Sequence, residues 1–286
     1  MKITSLQNPK VKYAVRLRNR SFRDKEQKTL LEGYRALRRA CDTGFPIDEC
    51  FYCPEMFLGS NENTLLEELA AKNVISYCLT PEVFAKLAYR ERPEGLIAVA
   101  GCPRHSLNDI GFVENGLYVV AESIEKPGNL GAILRSSDGA GADAIILCDK
   151  KTDLYNPNVI TASTGTIFTM PIAESSPDEV YSWLKKNNVK LIAATPHTDK
   201  VYTDIDMTGP VALLLGAEQF GLSEFWLGKS DFPVKIPMAG LADSLNVGIA
   251  AAILLFEAAR QRGWKKEHRT FNIEHPRFSK SGLSIE

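Results

Sequence analysis

Apolar positions fall into short runs along the chain, and their period shifts repeatedly between helix-like and strand-like spacing. Lys10–Arg20 and Gln27–Thr43 are predicted as helices. In the second, Leu30, Leu31, Tyr34, Leu37 and Ala40 keep helical spacing, with Gly44 as the stop. Ile47–Cys53, Val74–Leu79 and Gly95–Gly101 are predicted strands, and Thr64–Lys72 and Pro81–Ala88 are predicted helices, the latter opened by proline. This makes a small α/β domain. Residues Pro103–Asn115 are polar and without period, and are predicted to be a linker, which divides the chain into domains 1–106 and 107–286. The second series has predicted strands at Leu117–Glu122, Ala144–Cys148, Ile167–Ile172, Lys190–Ala194, Val211–Leu215 and Pro233–Pro237, with helices between them and a long last helix at Leu245–Arg262. Runs as continuously apolar as Val-Ala-Leu-Leu-Leu predict a mostly parallel sheet covered on both faces, so the fold class is α/β throughout.

Composition narrows the class. The 286 residues suit one large or two ordinary domains, and 44% hydrophobic with 24% charged residues excludes disorder, collagen and a disulfide scaffold. No apolar run approaches the ~20 residues of a membrane span, and Met1-Lys2-Ile3-Thr4-Ser5 lacks the apolar region of a secretory signal. Six irregularly spaced cysteines fit reduced thiols and a cytoplasmic location. The net charge of −1 conceals an asymmetry: residues 1–40 hold 12 Lys+Arg and 3 Asp+Glu. The basic positions include Lys10, Lys12, Arg16, Arg18, Arg20, Arg23, Lys28 and Arg35, interleaved with Asn8, Tyr13, Asn19 and Gln27. A second cluster comprises Arg260, Arg262, Lys265, Lys266 and Arg269. Such stripes are electrostatic footprints for a polyanion, nucleic acid first among them.

The chemistry-bearing residues sit at predicted strand ends. Gly139, Gly141 and Ala144 match a dinucleotide-binding glycine pattern, but a helix precedes them and a strand follows, so a helix C-cap is the simpler reading and a nicotinamide oxidoreductase is disfavoured. Three other segments carry more. Glu125–Arg135 follows a strand, turns through Pro127 and Gly128, puts Asn129 at the predicted N-cap, and ends on a lone arginine. Leu213–Leu222 is a buried strand running into a glycine-rich turn with one acidic residue, Glu218. Val234–Met238 is followed by Ser244–Gly248 at a helix start. Ligands of open α/β sheets bind at the carboxyl ends of strands, so Asn, Arg, Glu, Ser and Asn on three such loops point to one assembled site. Cys50 and Cys53 lack a second cysteine pair and read as packed thiols; the four histidines lack metal-ligand spacing, and no metal is expected. His197 follows a predicted strand end and reads as an exposed loop residue.

These three segments resemble the motifs of the SpoU/TrmH family of RNA ribose 2′-O-methyltransferases, within the SPOUT superfamily. The matching residues are Asn129, Gly131 and Arg135; then Leu214, Gly216, Glu218 and Gly221; then Ile236, Pro237 and Met238 with Ser244, Leu245, Asn246 and Val247. Ile3-Thr4-Ser5, Asn8-Pro9 and Leu31-Glu32-Gly33 resemble the substrate-binding extension of the ribosomal-RNA type, which is similar to the ribosomal protein L30e fold. The resemblance thus covers nearly the whole chain. It implies an L30e-like RNA-binding domain followed by a catalytic domain with a C-terminal trefoil knot, working as a homodimer. It implies S-adenosylmethionine as cofactor, held at Thr195, Leu215, Gly216, Glu218, Ile236, Pro237, Met238 and Leu245. The implied catalytic set is Arg135, Asn129, Glu218, Ser244 and Asn246. The RNA substrate is expected to be ribosomal, of the large subunit, in preference to transfer RNA. The alternative from another class is a non-catalytic RNA-binding protein with a retired methyltransferase domain, against which the intact motif set argues.

Overall fold

The structure, a computed structural model, describes residues 2–103 and 105–264. In the first half, β1 (Lys2–Ile3) precedes two short helices, α1 (Pro9–Arg16) and α2 (Arg20–Glu26). The predicted helix at 10–20 is therefore broken. Asn8 caps α1 by accepting from Lys10 N, and Asn19 opens α2 by accepting from Ser21 N, so two caps define two helices. Then come β2 (Lys28–Glu32), α3 (Tyr34–Asp42), β3 (Ile47–Tyr52), α4 (Glu62–Ala71), β4 (Ile75–Leu79), α5 (Pro81–Leu87) and β5 (Leu96–Gly101). The sheet order is β1-β4-β3-β5-β2, with β5 antiparallel to both β3 and β2.

The helix predicted over 27–43 is a correction: its first part is β2. Leu30 and Leu31 are both fully buried, but on opposite faces of the sheet. Leu30 packs with Val11, Leu17 and Phe84, and Leu31 with Leu37, Leu65 and Leu69. Only a strand sends adjacent side chains to opposite layers. The helical spacing was an accident of a strand followed at once by a helix, across Gly33 with its left-handed φ of 91°.

The second half contains β6 (Leu117–Glu122), α6 (Pro127–Gly139), β7 (Ala144–Cys148), α7 (Pro157–Ala162), β8 (Ile172–Ser175), α8 (Pro177–Lys186), β9 (Lys190–Ala194), β10 (Val211–Leu215), α9 (Glu224–Lys229), β11 (Phe232–Val234) and α10 (Val247–Gln261). The order is β11-β9-β10-β6-β7-β8 and every pairing is parallel. The strand predicted at 167–172 is also corrected. Thr166–Phe168 is a 3-10 turn, with Thr169 N and Met170 N both donating to Thr166 O, and β8 begins only at Ile172. Ile167, Phe168 and Met170 are buried without a ladder, because the turn meets its own backbone hydrogen bonds.

Helices α6, α7 and α10 cover one face of this sheet, and α8 and α9 the other. The first of these layers is continuous with the core of the N-terminal half, since Leu31 and Leu37 belong to the same cluster as Leu117 and Ile160. Thr29 Oγ1 donates to Tyr155 O at 2.6 Å, and the buried Arg23 pairs with Asp153 at 2.7 Å, so polar bonds also join the halves. The predicted linker is partly structured. Ser106 and Asp109 form a capping box on a 3-10 turn, and Ile110 is buried in the second core layer.

Candidate active site

Strands β6, β9, β10 and β11 are adjacent and parallel, so the loops leaving Glu122, Ala194, Leu215 and Val234 emerge on one rim of the sheet. All three motif segments leave from these strands, and the third runs on to the start of α10. Asn129 is a first correction of detail: the N-cap of α6 is Lys126, and Asn129 lies in the first helical turn, buried. Its side chain therefore turns to other segments instead of capping its own helix. Asn129 Nδ2 donates to Glu218 Oε1 at 2.5 Å, and Asn246 Nδ2 donates to Asn129 Oδ1 at 3.0 Å. Asn246 is the N-cap of α10, and its Oδ1 accepts from Gly248 N at 3.0 Å. The direction of this chain follows from one fact. An ionised Glu218 can only accept, so Asn129 presents its NH2 group there, which leaves Oδ1 for Asn246.

Glu218 also accepts from Glu125 N at 3.3 Å and Lys126 N at 3.2 Å, at the entrance to α6. Partial burial pushes its carboxyl up, but the Asn129 amide and the backbone N–H groups outweigh that, and its pKa ends below the ordinary value. The turn that carries Glu218 is folded hard on itself. Ala217 and Gly221 exchange backbone hydrogen bonds of 3.0 and 2.9 Å, and a Cβ on Gly216 would fall 2.1 Å from the carbonyl carbon of Gly221. Only glycine allows that approach. Gly131 does the same on α6, where a Cβ would meet that of Ala162 at 2.4 Å; the helix is thereby seated against α7.

The remaining predicted cofactor positions line the same rim. Thr195 N donates to Val234 O at 2.9 Å, and its hydroxyl accepts from His197 N at 3.2 Å. Leu215 and Gly216 are buried, Ile236 and Leu245 are half-buried, and Pro237 and Met238 are exposed. Two predicted catalytic residues stay outside the hydrogen-bonded chain. Arg135 is exposed, four residues after Gly131 and so on the α6 face turned toward α7, and among the described residues its guanidinium has no partner. Ser244 is exposed in the loop before α10, and no hydrogen bond to it is found among the described residues.

The predicted RNA-binding residues divide by burial. Arg23 is corrected: it is 3% exposed, binds Asp153 through Nε and Nη2, and donates to the carbonyls of Leu17 and Arg18. It is a structural tie between the halves. Arg18 is half-buried and holds the carbonyls of Lys86 and Ala88 at the end of α5. Lys10 pairs with Glu49 and Lys28 with Asp48. Arg20 is exposed but donates to Lys151 O. Lys12, Arg16 and Arg35 remain exposed, with Arg16 lying over the Phe22 ring. Arg35 stands at a cleft of about 480 Å3 between the halves, lined by Tyr34, Arg90, Glu94, Thr161 and Thr164 among others. Lys265, Lys266 and Arg269 lie outside the described residues.

Cys50 and Cys53 are buried in different core layers, on opposite sides of β3, and burial pushes their thiols up to about 12 and about 11. His197 is exposed, in its loop. Two residues escaped the sequence reading altogether. Glu122, buried at the end of β6, accepts from both the backbone N and the hydroxyl of Ser223. An acidic residue closing an otherwise apolar strand was the available signal; its partner 101 residues on was not.

Comparison with known proteins gives the same reading. The SpoU rRNA Methylase family model matches residues 116–256, and the MRM3-like substrate binding domain model matches residues 8–98. The chain is 33% identical to a 23S rRNA (uridine(2479)-2′-O)-methyltransferase of Streptomyces viridochromogenes, over 86% of this chain and 87% of that protein. A crystal structure of an RNA 2′-O ribose methyltransferase superposes with a TM-score of 0.81 at 39% identity, covering 92% of this chain and 99% of the other. An AdoMet-bound rRNA methyltransferase from Sinorhizobium meliloti superposes with a TM-score of 0.83 at 31% identity, covering 91% and 97%.

Proposed function

The chain belongs to the SpoU rRNA methylase family, and from that premise we propose that it methylates a ribose 2′-hydroxyl of large-subunit ribosomal RNA with S-adenosylmethionine. The observation that carries this is the hydrogen-bonded chain Asn246–Asn129–Glu218, which joins the three motif segments at the carboxyl rim of a parallel sheet. The rim suits the cofactor chemically. Its backbone at Leu215–Gly216 and Ile236–Met238 offers amides and carbonyls for an adenine edge, and the uncovered side chain of Met238 offers apolar surface for its ring. When bound, S-adenosylmethionine supplies a methyl group on a sulfonium, already activated toward displacement.

The chain's own residues then have to align a sugar oxygen about 3 Å from that methyl and take away its proton. Asn129 and Asn246 tie the first turns of α6 and α10 together, and Glu218 holds the cofactor-side turn to the start of α6. Arg135, exposed and unpartnered among the described residues, is free to clamp an RNA phosphate with two parallel N–H donors. A guanidinium has no free lone pair to take a proton and is a poor acceptor, so in this reading the proton leaves through that phosphate or water. Ser244 belongs to the same proposal as a ribose contact. RNA is met by Lys12, Arg16 and Arg35 and by the cleft between the halves, chiefly through phosphates.

The reading extends to a homodimer, for which the exposed Leu241, Ile249 and Phe256 provide uncovered apolar surface on α10 and the loop before it. It also includes the trefoil knot that the family implies, and the pairing of β11 with β9 and the bond from Lys235 N to Lys200 O bring the segments after both strands together. A cytoplasmic setting accords with six unpaired thiols. The test pairs two measurements on Arg135→Ala. Calorimetry with S-adenosylmethionine is expected to match the wild type, while methyl transfer to a ribosomal RNA transcript disappears. Near-normal transfer would remove Arg135 from the reaction. Mapping ribose methylation with and without the gene identifies the nucleotide.

A further inference from the structure

Glu122 is a buried carboxylate to which the mechanism above gives no task. It closes β6, and the chain turns away immediately after it through Ser123, a non-glycine residue at a left-handed φ of 53°. Such backbone is uncommon and clusters where geometry is over-determined by its surroundings. Both carboxylate oxygens go to one residue on another segment: Oε2 accepts from Ser223 N at 2.8 Å and Oε1 accepts from Ser223 Oγ at 2.7 Å.

Ser223 ends the turn that begins after Leu215. The leading foot of that turn is fixed by the sheet, where Leu215 stands in register with Ala121. The trailing foot is fixed by Glu122, the next residue on the same strand. Between the feet, the backbone folds onto Gly216 so closely that a Cβ there would strike Gly221 and Leu222. At the far end of the turn, Glu218 reaches Asn129 and the entrance of α6. The turn is thus pinned at three points, and a displacement of one foot moves the other contacts with it.

We propose that Glu122 is a positioning residue for methyl transfer: by clamping Ser223 it sets the 216–222 turn, and with it the cofactor-facing backbone and the placement of Glu218 against Asn129. The inference rests on the proposed methyltransferase reading. It does not require Glu122 to touch either substrate. Two hydrogen bonds to a buried charge are involved, so their loss is large enough to be read in binding as well as in turnover.

The experiment uses the full-length protein, S-adenosylmethionine and a ribosomal RNA transcript. Glu122→Ala is expected to weaken S-adenosylmethionine binding by about tenfold or more and to lower kcat too, with thermal unfolding confirming that the variant is folded at the assay temperature. Glu122→Gln is expected to recover most of both. Its carbonyl oxygen accepts from Ser223 N, and its NH2 donates to a Ser223 hydroxyl that reverses its role. Ser223→Ala removes only one bond and should raise the cofactor Kd by about threefold. A purely structural role predicts lost stability with unchanged Kd and kcat in the folded fraction, and that result for Glu122→Ala overturns the proposal. Should Glu122→Ala not fold, Ser223→Ala decides: a raised Kd supports the clamp, and wild-type Kd and kcat overturn it. If the wild-type protein itself binds no S-adenosylmethionine, it is the methyltransferase reading that fails, separately from this one.

Discussion

Replacing Asn129 tests the centre of the site most directly, because its one amide links two other motifs. Asn129→Ala removes a hydrogen bond to the charged Glu218 and another from Asn246. By general magnitudes these contribute about 1.5–3 and about 0.5–1.5 kcal/mol. Glu218 is not left bare, since the Glu125 and Lys126 amides still donate to it. The lower half of the summed range, about 2–3 kcal/mol, is therefore the working figure. At about 1.4 kcal/mol per factor of ten, that is a roughly 30- to 150-fold loss of kcat/KM if all of it is felt in the transition state. Asn129→Asp keeps the shape but sets a second carboxylate against Glu218. Two such groups cannot both stay ionised at contact distance, and one takes up a proton with a raised pKa. A shared proton restores a donor, so the activity of the Asp variant should recover as pH falls. The wild type lacks this behaviour, because Glu218 is held below its ordinary pKa and stays charged over that range. The assay is transfer of labelled methyl to transcript between pH 5.5 and 8, with circular dichroism as the control for folding. An Ala variant within twofold of wild type, or an Asp variant with the wild-type pH profile, refutes the argument that this bridge positions the site.

Three further outcomes follow from the same structure. Replacing Lys12, Arg16 and Arg35 by Ala together should flatten the salt dependence of RNA binding by about 2 in the log–log slope, at about 0.7 per lost phosphate contact, without changing cofactor binding; an unchanged slope removes them from the RNA interface. Arg23→Met leaves Asp153 without its buried partner and should cost about 3–5 kcal/mol in urea unfolding, and a loss below about 1 kcal/mol would mean that this ion pair does not hold the halves together. Burial holds His105, beside the Tyr155 hydroxyl, below its ordinary pKa of 6.5, with Glu174 and Asp109 opposing the shift. The unfolded chain then binds the proton more readily, so the contribution is intact above the ordinary value and lost as pH falls below it. Melting temperature should drop between pH 7.5 and 5.5 more steeply for wild type than for His105→Asn, and equal slopes would contradict this.

Much of the architecture was legible before any coordinates. The runs at 117–122, 144–148, 190–194 and 211–215 are strands with the predicted limits, because a strand buried on both faces reads as a continuous apolar run, with charged residues only at its ends. Asn129, Glu218 and Asn246 were identifiable from motif order, and they do meet. Two of the misread segments, 27–43 and 167–172, are places where buried apolar residues satisfy helix and strand spacing alike, and the backbone alternative is decided by what packs around them. Charge misled in a similar way. Arg23 and Lys12 look equivalent in the basic stretch, yet one is sealed against Asp153 and the other faces outward.

The alternation of apolar runs with caps and turns already pointed to two α/β series, a mostly parallel sheet in the second, and which three loops carry polar groups, since those properties depend on neighbours within a few residues. Folding alone decided that Glu122 grips Ser223, that Glu218 reaches Asn129, and that Arg23 binds Asp153. These pairs lie from 89 to 130 residues apart. Their hydrogen bonds need distances set to within tenths of an ångström by the packing of whole layers, a condition that no local pattern encodes.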